Sequence, residues 1–238
     1  MTATPATETP GTPEGTERPE STGSYEPTAL TVPSRSRDRA RYDRETVHSI
    51  LDEAYICHLG FVRDGAPVVL PTLFARVGES LYMHGSTGSR PLLAAGRTDP
   101  GLPVCVTVTH VDGLVLARSA FHHSLNYRSV VVHGTAHQVT DEAECRTALD
   151  AMVDSVAPGR SADIRPANAK ELAATAVIRV DLSEVSAKLR TGPTNDDAED
   201  LGLPHWAGVI PVAPVYGTPV PAVDLDPGIA LPDYLAAL

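Results

Sequence analysis

Apolar and β-branched residues of this chain gather in short runs, rich in Val, Thr, Leu and Tyr, that occupy most of the region between residues 55 and 190. Asp-Gly or other glycine-containing turns separate the runs at 64–65, 77–78 and 112–113. This pattern is typical of β-hairpins that follow one another along the chain. The predicted strands are 67–77, 81–84, 103–111, 114–119, 127–139, 175–182 and 187–190. Hairpins in series predict an antiparallel sheet or barrel.

Three segments have the signals of helices. Asp43 is a candidate N-cap, and apolar residues follow it at helical spacing: Val47, Ile50, Leu51 and Ala54. We therefore predict an amphipathic helix over 44–54 that plugs one end of the barrel. A second helix is predicted from about 140 to 156 and a short one over 167–173. The fold class is mainly β with peripheral helices (α+β).

The two ends of the chain differ in composition from its middle. Residues 1–36 are dense in Thr, Pro, Glu, Gly and Ser with almost no large apolar residue, which predicts a disordered N-terminal tail. Residues 213–238 repeat proline with glycine and aspartate, which predicts an extended, Pro-rich C-terminal tail. One domain is therefore expected over 37–212.

Composition excludes several classes of function. The net charge of −11 argues against sequence-independent nucleic-acid binding, which needs a basic surface. The three cysteines contain no CxxC pair, so neither a disulfide framework nor a cysteine zinc site is indicated, and no metal site is predicted. The sequence also lacks a membrane-length apolar run and the order of a signal peptide. These features predict a cytoplasmic protein without membrane contact.

The segment 81–93, LYMHGSTGSRPLL, is a strand that runs into a loop of small residues and then a short helix. Its glycines allow close approach of the backbone to a phosphate, and its polar side chains offer donors: Ser86, Thr87, Ser89 and Arg90. The alternative is an ordinary strand-to-helix turn capped by Ser89. No GxGxxG, P-loop lysine or GxSxG motif is present, which disfavours dinucleotide folds, nucleoside triphosphates and serine hydrolysis.

The order of segments carries a resemblance that no single motif does. The segments are YICHLGFV, an Asp-Gly turn, PVVLPTLFARV, LYMHGSTGSR, VCVTVTHVDGLVLARSAF, NYRSVVVHGTAHQV and HWAGVIPV. This order resembles the pyridoxamine 5'-phosphate oxidase-like flavin-binding proteins, and most closely the branch that includes the 5-nitroimidazole reductases, over residues 37–212. The resemblance implies an FMN-binding split β-barrel that works as a homodimer with flavin sites at the subunit interface.

The same resemblance implies a set of cofactor-binding residues. The flavin ring would rest on the backbone of the strand that contains Pro71, Thr72, Leu73 and Phe74, with Thr72 as a candidate partner of a ring heteroatom. The phosphate would be held by the loop residues named above and by Arg128 or Lys188. Asn126 and Ser129 would line the cleft, and Trp206 would lie near the flavin ring or act in core or interface packing.

The predicted activity is that of an FMN-dependent oxidoreductase acting on a small organic molecule, with NADH or NADPH as electron donor. The catalytic residue is not evident, and His123 is a candidate on the substrate side. Two alternatives remain. One is a haem-binding or haem-handling protein on the same barrel, with His58 or His123 as the free histidine, because haem needs only one axial histidine. The other is a flavin-binding protein without turnover.

Overall fold

The computed structural model describes residues 23–89, 94–96 and 100–238. Within these residues, nine strands form a single antiparallel sheet. Their bounds are β1 (Ala40–Arg41), β2 (Ile56–Arg63), β3 (Ala66–Val77), β4 (Ser80–Ser86), β5 (Leu102–Leu116), β6 (Ser124–Gln138), β7 (Thr175–Asp181), β8 (Glu184–Arg190) and β9 (Gly208–Pro211). The prediction of a mainly β, antiparallel fold is confirmed.

The sheet closes on itself because β5 and β6 are long and pair along most of their length. Around the barrel, each strand pairs with the next in the order β6, β7, β4, β3, β2 and β5. The pairing of β5 with β6 closes the ring. These six strands make the barrel. The other halves of the two long strands leave the barrel, where β6 pairs with β8 and β5 pairs with β9. This divergence splits the sheet, and β1 is added at the outer edge of β8.

The barrel interior is lined by alternate residues of the strands, as the period of two requires. Along β2, for example, Cys57, Leu59 and Phe61 are buried while the residues between them are more exposed. Phe74 of β3 and Ile178 of β7 are fully buried. The core is thus aliphatic, with few aromatic rings.

Helix α1 (Arg44–Asp52) covers one end of the barrel, as predicted. The Asp43 side chain accepts a hydrogen bond from the Thr46 backbone amide at 2.8 Å, which satisfies one of the free donors of the first turn. Three of its apolar residues are buried: Val47, Ile50 and Leu51. This burial fixes the helix to the barrel.

Helix α2 (Glu142–Val156) lies against the outside of β3 and β4. Outward residues of the strands pack on it to form a small second core that contains Ala75, Tyr82, Val177, Ala148 and Met152. Two short helices follow, α3 (Ala169–Ala174) and α4 (Asp233–Ala236). Single 3₁₀ turns occur at Arg37–Arg39, Ala120–His122 and Ser161–Asp163.

One predicted turn is wrong. The Asp112-Gly113 pair does not separate two strands, because β5 continues through it with a register shift between Val111 and Gly113. A Cβ at Gly113 would lie 3.0 Å from Val209 Cγ1, so glycine here admits the close approach of β9. By contrast, Asp64 and Gly65 have φ of 51° and 77° and form the predicted β2–β3 hairpin.

Contacts of the domain begin before residue 37, where the domain was predicted to start. Tyr25 is 4% exposed and belongs to the main core. Its hydroxyl donates to Glu79 at 2.9 Å and lies 3.0 Å from His48 Nε2. The segment that precedes α1 is therefore attached to the barrel through Tyr25. Of the tail predicted over 1–36, residues 1–22 lie outside the described residues.

The C-terminal segment also has an attachment point. The Tyr234 hydroxyl of α4 donates to Asp163 at 2.7 Å and accepts from Arg160 at 3.1 Å. Between β9 and α4, apolar side chains such as Val220 and Val223 are almost fully exposed. In the described part of the chain, no helix has the length and apolar character to cross a membrane.

Candidate functional site

Within the described residues, the long helix that begins at residue 142 packs on β3 and β4, and other strands of the barrel have exposed outer sides. We use the name open face for the outward-facing residues of β2, β3, β5, β6 and β8 that α2 does not cover. Large apolar side chains are exposed there, with Ile56 at 42%, Val62 at 64%, Val69 at 63% and Val111 at 40%. An apolar area on a sheet surface is typical of a binding site for another molecule.

The register places some of the predicted residues of β3 on the open face and others in the core. Pro71 pairs with His58, and Leu73 pairs with Ile56, so these two point outward. Phe74 is fully buried. Thr72 lies opposite the buried Cys57, on the inner side of the strand, and its hydroxyl donates to the Leu73 carbonyl at 3.4 Å. A flavin on the open face would therefore contact the outward side chains and the backbone of β3.

Two predicted polar residues lie on the open face in register. Ser129 of β6 pairs with Thr109 of β5 on one side and with Lys188 of β8 on the other. The Ser129 hydroxyl donates to the Lys188 carbonyl at 3.2 Å, and Lys188 Nζ donates to the Arg35 carbonyl at 3.4 Å. Since Lys188 has no carboxylate partner among the described residues, its charge is available to an anionic ligand.

Arg128 is already committed to two carboxylates. Its guanidinium forms ion pairs with Glu53 and with Asp112, the latter at 2.9 Å. Hydrogen bonds with Glu53 and Asp112 raise the pKa of Arg128, and the same contact lowers the pKa of Glu53. Arg128 therefore joins α1 to the sheet, and a phosphate would have to displace a carboxylate to bind it.

Asn126 bonds within the protein as well. The Arg190 guanidinium donates to Asn126 Oδ1, and Asn126 Nδ2 donates to the Gly192 carbonyl at 3.1 Å. The side chain thus connects β6 to the end of β8 and to the loop that follows it.

The predicted phosphate loop uses several of its own donors. The Gly88 amide donates to Ser86 Oγ at 3.2 Å, and the Ser89 amide donates to the Ser86 carbonyl at 2.8 Å. The Thr87 amide donates to the Ala174 carbonyl at 3.2 Å. The side-chain hydroxyls remain as donors for a ligand. Arg90, the charged member of the predicted loop, lies outside the described residues.

His123 and Trp206 are both on the surface. The His123 ring lies with Nδ1 2.9 Å from the Ser119 carbonyl, which makes Nδ1 the donor and leaves Nε2 with a lone pair. Trp206 is 67% exposed and precedes β9, so it is not a core residue. Of the roles predicted for Trp206, contact with a cofactor or with a second subunit is compatible with this exposure.

Sequence reasoning missed a pocket on the outside of the barrel, beside α2. It has a volume of about 560 Å³. Its lining is predominantly apolar and includes Leu73, Leu149, Met152, Val153, Val156 and Ile164, with His84 in its wall and Arg160 and Arg165 among its lining residues. Small-molecule sites have volumes of roughly 300–1,000 Å³ and this character. Since Leu73 also faces outward from β3, the pocket adjoins the open face.

His84 is the histidine of this pocket and offers a nitrogen that can ligate a metal. Burial lowers its pKa, so the imidazole is neutral near pH 7, the form that binds metals. Its Nδ1 lies 3.1 Å from Met152 Sδ. A thioether only accepts hydrogen bonds, so Nδ1 carries the proton and Nε2 has the lone pair. The sequence signal was the position of this histidine, directly before the Gly85–Ser89 loop.

Other histidines do not combine into a metal centre. Across the described ranges, no group of three His, Cys, Asp or Glu side chains is placed to hold a metal ion. A prosthetic group that brings its own equatorial ligands is different, because one histidine is enough for it.

Barrel closure, a diverging β5–β6 pair and an open apolar face define a split-barrel protein. A sequence model of pyridoxamine 5'-phosphate oxidase matches residues 43–189. This stretch is more than half of the chain, and the chain therefore belongs to the pyridoxamine 5'-phosphate oxidase family, a flavin-binding family. The predicted resemblance is confirmed.

Three solved structures illustrate the similarity. The flavocytochrome Anf3 from Azotobacter vinelandii is 40% identical, with 90% of this chain and 98% of that chain covered and a TM-score of 0.82. The FAD and haem binding protein from Mycobacterium smegmatis is also 40% identical, with 84% and 96% covered and a TM-score of 0.78. A protein assigned to 5-nitroimidazole antibiotic resistance from Bacteroides thetaiotaomicron VPI-5482 shares the fold, at 22% identity, 63% and 85% coverage and a TM-score of 0.51. A comparison with curated proteins gives no match.

Proposed function

We propose that this protein is an oxidoreductase that binds a flavin on the open face and a haem in the pocket beside α2. The observation that carries the proposal is the apolar pocket with the neutral His84 in its wall, adjoining the outward side of β3 at Leu73. Both relatives at 40% identity are described by their names as binding or containing these two kinds of cofactor. The proposal therefore combines flavin binding and haem binding, which the sequence analysis gave as alternatives.

The residues present fit a haem in two respects, the apolar lining and a histidine nitrogen. The lining is apolar, which suits the porphyrin faces, and the volume of about 560 Å³ admits a large planar group. His84 offers one nitrogen ligand. Arg160 and Arg165 also line the pocket, but they are paired with Asp163 and Glu171, so a haem carboxylate would have to compete with these partners. Arg160 is held in place by Asp163 and Tyr234, each with an oxygen 3.1 Å from its Nη1.

The residues on the open face fit a flavin. Pro71 and Leu73 offer an apolar surface, while Ser129 and Lys188 lie on the same face and offer a hydroxyl and a positive charge. The flavin species is proposed to be FAD, because the Mycobacterium smegmatis relative binds FAD by its description. FMN, the flavin expected from the sequence, is the other outcome of the test.

When bound, the flavin supplies two-electron or one-electron transfer and the haem supplies a one-electron iron couple. The protein's own part is to position them and to set their surroundings. The Met152 sulfur fixes the His84 tautomer by accepting a hydrogen bond from Nδ1–H, so Nε2 is the nitrogen left for a metal. The aliphatic side chains of α2 exclude water, which lowers the local dielectric constant and raises the strength of charge interactions.

The absorption spectrum of the purified protein tests the proposal. We expect a haem Soret band and flavin bands together, and a chromatographed extract that contains FAD. His84→Ala should remove most of the Soret absorption and leave the flavin bands, because the histidine nitrogen that would hold the haem is lost while the open face is unchanged. His58→Ala and His123→Ala are matched controls, since both histidines are exposed and lie away from the pocket lining.

Each outcome has a defined meaning. A Soret band lost in His58→Ala or His123→Ala, and retained in His84→Ala, would move the haem to another site. Wild-type protein with flavin and no haem under haem-replete expression would reject the haem half of the proposal. Anaerobic mixing with NADH or NADPH then separates an oxidoreductase from a passive flavin-binding protein, because the flavin of a passive binder stays oxidised.

A further inference from the structure

A second pocket lies at the far edge of the sheet, between β1, the end of β8 and the loop at 191–195. It has a volume of about 370 Å³ and is lined mainly by polar residues. Three of these are arginines: Arg39, Arg41 and Arg190. Asp38 is the carboxylate among the lining residues. The lining thus has an excess of two positive charges in a protein whose net charge is −11.

The three arginines differ from most other arginines of the protein in their pairing. Eight described arginines form ion pairs with carboxylates: Arg44, Arg76, Arg118, Arg128, Arg146, Arg160, Arg165 and Arg179. None of the three pocket arginines has such a partner among the described residues. Acidic residues outnumber basic ones by 30 to 19, so unpaired guanidinium groups that share a pocket are a specific feature.

Two of the pocket arginines, Arg41 and Arg190, are nevertheless held in position by neutral acceptors. Arg41 Nη1 donates to the carbonyls of Asp38 and Ala40, at 2.7 and 2.8 Å. Arg190 donates to Asn126 Oδ1 through Nη1 and to the Pro193 carbonyl at 3.3 Å through Nη2. These contacts orient the groups without neutralising their charge. The remaining guanidinium donors match the paired oxygens of a phosphate group.

We propose that this pocket binds a phosphorylated small molecule, with a diphosphate group as the part that the arginines recognise. Its volume is within the range of roughly 300–1,000 Å³ for small-molecule sites. A diphosphate group is present in two kinds of ligand, a free nucleotide and a bound FAD. The second source is tested because Arg190 lies two residues after Lys188, at the end of a strand that borders the open face. The site itself does not depend on the proposed flavin and haem binding.

Calorimetric titration of the purified protein, with the cofactors that it contains, tests the site with inorganic pyrophosphate and with ADP. We expect both to bind, and adenosine to bind far more weakly. Arg41→Gln should weaken the binding of pyrophosphate by about tenfold or more, since a charge-assisted contact is lost. Arg63→Gln is the matched control, because Arg63 is exposed, lacks an ion pair among the described residues and lies outside this pocket.

The flavin content distinguishes the two sources. If wild-type protein binds pyrophosphate with its flavin in place, the ligand is a free molecule. If wild-type protein does not bind it, and Arg41→Gln lowers the FAD content while the control does not, the diphosphate of FAD fills the pocket. The proposal is overturned if pyrophosphate does not bind and the FAD content is unchanged, or if Arg63→Gln has the same effect as Arg41→Gln. Neither result requires that haem be present.

Discussion

The two sides of the barrel exterior have similar residues and different surroundings. On the side of β3, β4 and β7, outward residues such as Val177 and Tyr82 pack under α2 and are at most 8% exposed. On the open face, Val69 has the same side chain as Val177 and is 63% exposed. Local sequence does not separate these two valines. The position of a helix that starts at residue 142 does.

The difference indicates separate roles for the two sides. Burial of apolar area stabilises a fold by about 25 cal/mol per Å², so the side under α2 contributes to the stability of the single chain. Within one chain, the apolar side chains of the open face stay exposed and add no such stabilisation. We propose that a second copy of the chain covers the open face, which makes a symmetric homodimer with flavin sites at the interface.

The largest expected effect is on assembly. Val69→Lys should convert the dimer to a monomer, halving the mass measured by light scattering, because it places a charge in the centre of an apolar interface. Leu30→Lys is the control, since Leu30 is 59% exposed and lies outside the sheet. A wild-type protein that is monomeric at micromolar concentration would contradict the proposed dimer.

A second prediction concerns Trp206, which is exposed beside the edge strand β9. If it crosses to the second subunit, Trp206→Ala should weaken dimerisation and flavin binding together by more than about 2 kcal/mol, the usual cost of truncating an interface anchor. Analytical ultracentrifugation and flavin fluorescence titration measure the two quantities. A dimeric variant with unchanged flavin affinity would show that the ring has no role in either.

The matched pair Val177→Ala and Val69→Ala compares the two sides directly. Removing two buried methyl groups at Val177 should lower the free energy of unfolding by about 1.5–2 kcal/mol, at about 0.8 kcal/mol for each group and a small cavity. Val69→Ala should cost less than about 0.5 kcal/mol in a dilute, monomeric sample. Urea denaturation at several protein concentrations gives both values. Equal losses at every concentration would mean that the two sides are equally buried.

The smallest expected effect is a pH dependence at the end of the barrel covered by α1. Burial, and secondarily the charge of Arg76, lowers the pKa of His48 below its ordinary value of 6.5. Between the folded-state pKa of His48 and pH 6.5, the unfolded chain binds more protons than the folded one. The contribution of neutral His48 to stability is therefore fully present above pH 6.5 and is lost as the pH falls towards the folded-state pKa. His48→Gln should flatten the dependence of the melting temperature on pH. His205→Gln, at an exposed histidine, should not.

Much of the fold could be predicted because its elements are local. The Asp64-Gly65 hairpin, the Asp43 cap and the spacing of apolar residues in α1 depend on neighbours within a few positions of the chain. The Asp112-Gly113 pair shows where such reasoning fails. Its local signal is that of a turn, yet the chain continues as a strand because β9 pairs there from nearly a hundred residues further along.

The strands that carry the candidate site could be predicted from the sequence. The side-chain contacts within the site could not. The observed register places Pro71, Leu73, Ser129 and Lys188 on one outer face, because side chains alternate along strands, and their role in cofactor binding stays a prediction. The free charge expected at Arg128 is absent, because Glu53, the residue that follows α1, forms an ion pair with it from 75 residues away in the chain. Ion pairs between residues so far apart in the chain depend on how α1 packs against the sheet. The sequence of α1 alone does not determine that packing.

The sequence by itself determined a β-rich barrel, the helix at its end and the kind of cofactor family to which the chain belongs. Tertiary structure alone decided that Tyr25 belongs to the core, that His84 lies in an apolar pocket and that three arginines share a polar one. The physical reason is the range of the interactions. Turns, caps and alternation act between neighbours in the chain, whereas pockets and unpaired charges result from segments that meet only after folding.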